Sequence, residues 1–168
     1  MIPPMMKYTL LTFLFLSGSL VIQGQNEKIV ITSQEKKTQV YTHENGDLQV
    51  NVSPKDVLKY KAAGVVHYSD FGAVGDGKAD DIDAIAATHA FANLHGLLVK
   101  ADNGATYYIG GKERTALIRT DTDFGTAAFI IDDTEVKNRN ASVFTVGSDL
   151  KPFKPETITS LKRNRKKI

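Results

Sequence analysis

Apolar and polar positions change rhythm several times along this chain. Leu10–Leu16 is a dense apolar run. From Lys28 to Val52 the pattern alternates. "KIVIT" reads as a short strand. Val40 and Tyr41 precede Asn45-Gly46, and Leu48, Val50 and Val52 follow it. Asn-Gly between β-prone runs predicts a hairpin, because both turn residues tolerate positive φ. Ser53–Gly64 predicts a short helix: Ser53 can cap it, Pro54 suits its first position and Gly64 its end. "VVHYSDFG" reads as extended. A second helix follows the glycines, with Asp80 or Asp81 as cap, Ile82, Ile85, Ala86 and His89 on one face, and His95-Gly96 as its end. Strands are predicted over Leu97–Lys100 and Thr106–Ile109, joined by an Asp-Asn-Gly turn. Two more short strands are expected around Gly125 and another in "ASVFTVG". Two early helices followed by strands without helices between them do not fit the alternation of a nucleotide-binding parallel sheet. They suit the beginning of a β-solenoid, sandwich or barrel.

Composition changes this picture at the ends only. Of 168 residues, 42% are hydrophobic and 24% charged, a globular balance rather than a disordered one. There is no cysteine, so disulfides, thiolate nucleophiles and thiolate metal sites are excluded. Lys7, the run Leu10–Leu16 and the small residues Ser17, Gly18, Ser19 and Gly24 describe a secretory signal peptide. Its apolar run is well short of the roughly 20 residues that span a bilayer. Cleavage is expected near Gly24 or Gln25, with the mature chain secreted or periplasmic and free of the membrane. The predicted organisation is a signal peptide (1–25), a β hairpin with a short helix (26–64), a third unit (65–149) and a basic tail (150–168). The tail holds Lys151, Lys154, Lys162, Arg163, Arg165, Lys166 and Lys167 against Glu156. Without interleaved aromatic residues it reads as a solvated end, and no nucleic-acid partner is expected.

"DFGAVGDGKADDIDAI" contains Gly72, four residues, Gly77 and Lys78, most of a phosphate-cradling loop. Ala79 stands where the magnesium-binding hydroxyl is needed. Asp80, Asp81 and Asp83 place negative charge where a helix N-terminus should attract phosphate. Nucleotide binding is therefore not expected. An EF-hand would need a full alternation of ligands and a closing glutamate, and both are missing. No metal and no cofactor is expected. The glycines are read as a tight path with positive φ and the aspartates as helix-start chemistry.

The same residues resemble the pectate-lyase-like superfamily, which includes polygalacturonases, rhamnogalacturonases, epimerase-like proteins and phage tailspikes. Phe71-Gly72-Ala73, Gly75-Asp76-Gly77 and Asp80-Asp81 match its N-terminal signature. Leu97–Lys100 matches the strand after the signature helix. Gly104-Ala105-Thr106-Tyr107 matches the next turn with one extra residue. The resemblance spans about Val65 to Ile131. It implies a mainly β protein: a capping helix and the first rungs of a right-handed parallel β-helix, cut short. It also implies a secreted carbohydrate-active parent, a lyase or hydrolase acting on an acidic, pectin-like polysaccharide. The chain alone is expected to be inactive, since no position matches a catalytic motif of the family and none is carried over. The alternative is a non-enzymatic glycan-binding β-helix.

Other candidates are weaker. Asp121 and Asp123, two apart, would share a strand face and suit an acid and base pair, but Asp-Thr-Asp before Phe124-Gly125 is ordinary turn chemistry. Asp132-Asp133 would point to opposite faces. His43, His67, His89 and His95 are read as structural or surface residues. Tyr107 and Tyr108 could stack on sugars; as strand neighbours they must face opposite ways, with one packed inside.

Overall fold

The structure, a computed structural model, describes residues 20–24, 27–34 and 37–148. The tail expected over 150–168 lies outside these residues. So does the leader expected over 1–25, apart from its last strand-forming residues.

Strand β1 (Leu20–Gly24) pairs antiparallel with β2 (Glu27–Ser33). Strands β3 (Gln39–Thr42) and β4 (Leu48–Val52) form the hairpin that Asn45-Gly46 predicts. Gly46 has φ +88° and its N–H donates to the His43 carbonyl at 2.9 Å. β2 joins β4 in parallel, giving a four-stranded sheet in the order β1-β2-β4-β3. Alternation places Leu48, Val50 and Val52 in the core with Ile29 and Ile31.

Helix α1 (Pro54–Ala63) has the predicted ends. The Asp56 N–H donates to Ser53 Oγ at 3.1 Å, and Gly64, at φ +69°, donates to the Tyr60 carbonyl. Ser53→Ala should cost about 0.5–2 kcal/mol. A urea titration reads this directly, and an unchanged midpoint would mean the cap contributes nothing.

β5 (Val65–His67) runs into a 3-10 turn (Tyr68–Phe71). β6 (Asp76–Asp80) then leads into α2 (Ile82–His95), which ends at Gly96 in the left-handed region. The remaining strands are β7 (Leu98–Lys100), β8 (Thr106–Gly110), β9 (Ala116–Ile118), β10 (Thr122–Asp123), β11 (Ala128–Asp132) and β12 (Phe144–Val146). They build three small parallel sheets: β5-β7-β10, β6-β8-β11 and β9-β12. From β5 to β12, each strand falls in a different sheet from the strand before it.

The expected mainly β, right-handed parallel β-helix is therefore corrected. The described residues form a mixed α/β arrangement of two helices, one four-stranded sheet and three separate sheets of two or three short strands, without a solenoid. The physical reason lies in α2. Ten of its fourteen residues are buried, so it is a central core element rather than an outer cap. Its Ala-rich sequence is apolar nearly all round, the composition of a helix enclosed on every side. The expected face of Ile82, Ile85, Ala86 and His89 is inside, and so are Ala87, Ala90 and Phe91. Beside it, Tyr68 meets Tyr107 edge-on at 5.2 Å, and Tyr107 meets Phe129 at 5.3 Å.

Candidate functional site

The glycine string binds its own carboxylates. The Val74 and Gly75 N–H groups donate to the two Asp81 oxygens at 2.7 and 3.2 Å. The Lys78 and Ala79 N–H groups donate to Asp76 at 2.9 Å each, and Ile82 N–H donates to Asp80 at 3.1 Å. The amides that a phosphate would need are thus already occupied by internal anions. Asp80, rather than Asp81, serves the start of α2; the Asp81 carboxylate turns back to the loop and is only 2% exposed. Burial pushes its carboxyl above the usual range, against the lowering effect of its amide partners. The loop closes tightly: at Gly75, φ +67°, an added Cβ would lie 2.8 Å from Ala105 Cβ. Sequence pattern alone did not show that Asp76–Asp80 is itself a strand.

Tyr107 and Tyr108 separate as their alternation requires. Tyr107 is 1% exposed and donates to Asp102 Oδ2 at 2.7 Å. Tyr108 lies on the outer side of the β6-β8-β11 sheet and is partly exposed. Its ring lies over Gly110, where an added Cβ would sit 2.6 Å from both Cε1 and the hydroxyl. The hydroxyl donates to Asp132 Oδ2 at 2.8 Å. The other Asp132 oxygen accepts from the Thr134 hydroxyl at 2.6 Å and its N–H at 3.0 Å. These hydrogen bonds, Thr134 first, hold the Asp132 carboxyl below its ordinary range. The Asp132 hydrogen bond in turn raises Tyr108. Opposite Tyr108 on the adjoining strand stands Ile130, which is exposed. The result is a flat aromatic ring fixed at both ends beside a fixed, ionised carboxylate. The signal for it was present in the sequence as Tyr-Tyr-Ile-Gly on a strand.

The remaining candidates do not converge. Asp123 accepts from Gly125 N–H at 2.9 Å and faces Lys100 at 3.5 Å, while Asp121 serves Val99 through its backbone carbonyl. Asp133 is exposed, 3.9 Å from Arg139. Such surface pairs carry little energy. Among the described residues, no two of Asp121, Asp123, Asp132 and Asp133 are brought together as an acid and base pair. His43 hydrogen-bonds Gln49 at 3.1 Å on the surface. His67 lies 3.8 Å from Asp102. His95 stacks edge-on against Phe91 at 4.4 Å. His89 is fully buried and shares a 2.8 Å hydrogen bond with the Tyr68 hydroxyl. No group of three or more His, Asp or Glu that could hold a metal occurs among the described residues.

One cluster went unread in the sequence. Asp83, in the first turn of α2, accepts hydrogen bonds from Thr42 at 2.6 Å, from Lys112 at 2.7 Å and from Arg114 Nε. Arg114 also donates to the Gly46 carbonyl at 2.6 Å. The cluster ties the hairpin, α2 and the loop after β8 together. Burial opposes ionisation of Asp83, but Lys112, Thr42 and Arg114 outweigh it and hold the carboxyl below its ordinary range.

Comparisons with protein-family models, curated proteins and solved structures find no significant match to this chain. No helix among the described residues is long and apolar enough to cross a membrane.

Proposed function

We propose that this chain is a glycan-binding module whose contact surface is the outer face of the β6-β8-β11 sheet around Tyr108. The observation that carries the reading is the Tyr108 ring laid over Gly110 and anchored through its hydroxyl to Asp132. A sugar ring presents a face of C–H groups and a rim of hydroxyls. A fixed aromatic ring suits the first, and a fixed carboxylate with acceptor capacity to spare suits the second. Because Asp132 and Tyr108 are already held in place, little side-chain freedom is lost on binding. The resemblance of residues 65–131 to the pectate-lyase-like superfamily supports a carbohydrate ligand. The leader-like Lys7 and Leu10–Leu16 support action outside the cytoplasm.

The charge around the ring narrows the ligand. Asp80, Asp132 and Glu135 all lie close enough to act on the Tyr108 hydroxyl. That surface favours a neutral glycan over the acidic polysaccharide expected from the resemblance, since like charges in proximity repel. Affinity electrophoresis of the full chain through a neutral galactan, a neutral glucan and a polyuronate tests this. Retardation by a neutral polymer is expected. Tyr108→Ala should weaken it about tenfold or more, as loss of a central aromatic anchor does. A Tyr108→Ala chain with native circular dichroism and unchanged retardation would sink the proposal.

A further inference from the structure

We infer that β11 is a dimer edge, pairing antiparallel with β11 of a second copy of this chain about a twofold axis at Ile130. The two edges of its sheet are unlike. β6, at one edge, carries Asp76, Lys78 and Asp80 and is irregular in register between Asp76 and Asp80. Charge and irregularity blunt an edge against pairing. β11, at the other edge, reads Ala-Phe-Ile-Ile-Asp in unbroken register, with neither lysine nor proline. Among the described residues no strand lies beyond it. Its side chains show the same opening. Ile131 stands in register with Ile109 and so faces the core side of the sheet, yet Ile109 is 3% exposed and Ile131 55%. Val146 on β12 repeats this against Ile118, at 80% and 9%. Phe124, Phe129 and Phe144 meet pairwise at 5.5, 5.6 and 5.9 Å and link the two strands into one apolar face.

The backbone selects a second copy as the occupant. The Ala128 N–H donates to the Ala105 carbonyl at 2.9 Å. In a parallel ladder alternate residues bond the same neighbour. Ala128, Ile130 and Asp132 therefore serve β8, while Phe129 and Ile131 turn their N–H and C=O groups to the open edge. With Ile130 on a twofold axis, Phe129 lies opposite the partner's Ile131, and Ile131 opposite the partner's Phe129. Both are antiparallel pairs of the hydrogen-bonded kind, so the open N–H groups of both copies find carbonyls. The same pairing sets Phe129 against Ile131 on the core side and Ile130 against its own copy on the outer side, apolar against apolar on both faces. A slip of one residue would set outward-turned groups against inward-turned ones. The result is one continuous sheet across the two copies, β6-β8-β11-β11-β8-β6, with both Tyr108 rings on its outer face. The pairing stands on the edge geometry and not on the glycan reading.

The absence of native cysteine makes the test direct. Full-length chains carrying Ile130→Cys or Ala128→Cys alone are oxidised and read by non-reducing electrophoresis. Both positions are exposed and lie on the same face of the same strand. On the axis, residue 130 meets its own copy in a non-hydrogen-bonded pair with Cα atoms about 4.5 Å apart, within disulfide range. The two copies of residue 128 lie four strand steps from one another, about 14 Å, too far to bridge. The expected result is about tenfold more cross-linked dimer from Ile130→Cys than from Ala128→Cys, and a dimer of the native chain in sedimentation. Ile131→Pro removes an edge N–H that β8 does not use, and edge strands accept proline. It should sediment as a monomer with native circular dichroism. Equal yields from the two cysteines would overturn the inference. So would a native chain that sediments as a monomer, which would give the edge to residues beyond 148 or to a different protein. An Ile131→Pro chain that stays dimeric would do the same. The cysteine comparison decides alone where Ile131→Pro loses its native circular dichroism.

Discussion

Replacing Asp83 with alanine should lower the unfolding free energy by about 3–5 kcal/mol, the cost of breaking a buried ion pair from one side. Arg114 is 6% exposed and keeps its position through Asp83 and the Gly46 carbonyl. Without the carboxylate, its guanidinium would stay buried with an acidic partner lost, and Lys112 would lose its ion pair with Asp83. The loss would be felt in three places at once, because Asp83 also receives the Thr42 hydroxyl from β3. The charge can be separated from the shape. Asp83→Asn keeps the size, and Asp83→Ala combined with Arg114→Met removes both charges. If the loss comes from the broken Asp83–Arg114 pair, the double variant should recover much of it. Urea midpoints of the four chains decide the matter. A cost below about 1 kcal/mol for Asp83→Ala would mean the cluster behaves as an exposed surface pair.

Acid should weaken the fold through His89 before the carboxylates titrate. Burial pushes its imidazole down to about 4 from 6.5. Its Nδ1 atom has no hydrogen-bond partner among the described residues. The unfolded chain therefore takes up a proton below about pH 6.5 that the folded chain refuses until about pH 4. Stability falls as pH drops through that window, by about 3 kcal/mol in total. His95 acts in the same direction, since burial and then Lys61 lower it too. Asp83, Asp102 and Asp132, all held low, add their own losses at lower pH. Asp81, held high, works the other way. Urea midpoints taken from pH 7.5 to 4.5 should show a steep decline for the native chain and a shallower one for His89→Gln. Parallel curves would show that His89 is not the group responsible.

These two sites differ in how far the sequence disclosed them. Spacing put His89 on one helix face with Ile82, Ile85 and Ala86, but the histidine was read only as structural or surface, and its full burial came from the fold. Asp83 was read only as negative charge near a helix start, because its partners Arg114 and Thr42 lie 31 and 41 residues away. No local pattern links positions that far apart. Tyr108 falls between: strand alternation separated it from Tyr107, but its bond to Asp132, 24 residues on, needed the pairing of β8 with β11.

The fold divides along the same line. Ser53, Pro54 and Gly64 determined α1, Asn45-Gly46 determined the hairpin, and Gly96 ended α2. In each case the hydrogen bonds or the required φ lie within a few residues. The parallel pairing of β2 with β4, the strand formed by Asp76–Asp80 and the enclosure of α2 on all sides were decided only by the tertiary structure. So was the outcome that the short strands form separate small sheets instead of the expected β-helix. Strand pairing and burial depend on which distant segments meet, and a motif such as Phe71–Asp81 specifies a local path without specifying its neighbours. The Asp81 carboxylate shows this at a single residue. Its position just before the helix was legible, but its turn back onto Val74 and Gly75 depends on the tight loop packed against Ala105, which only the folded chain supplies.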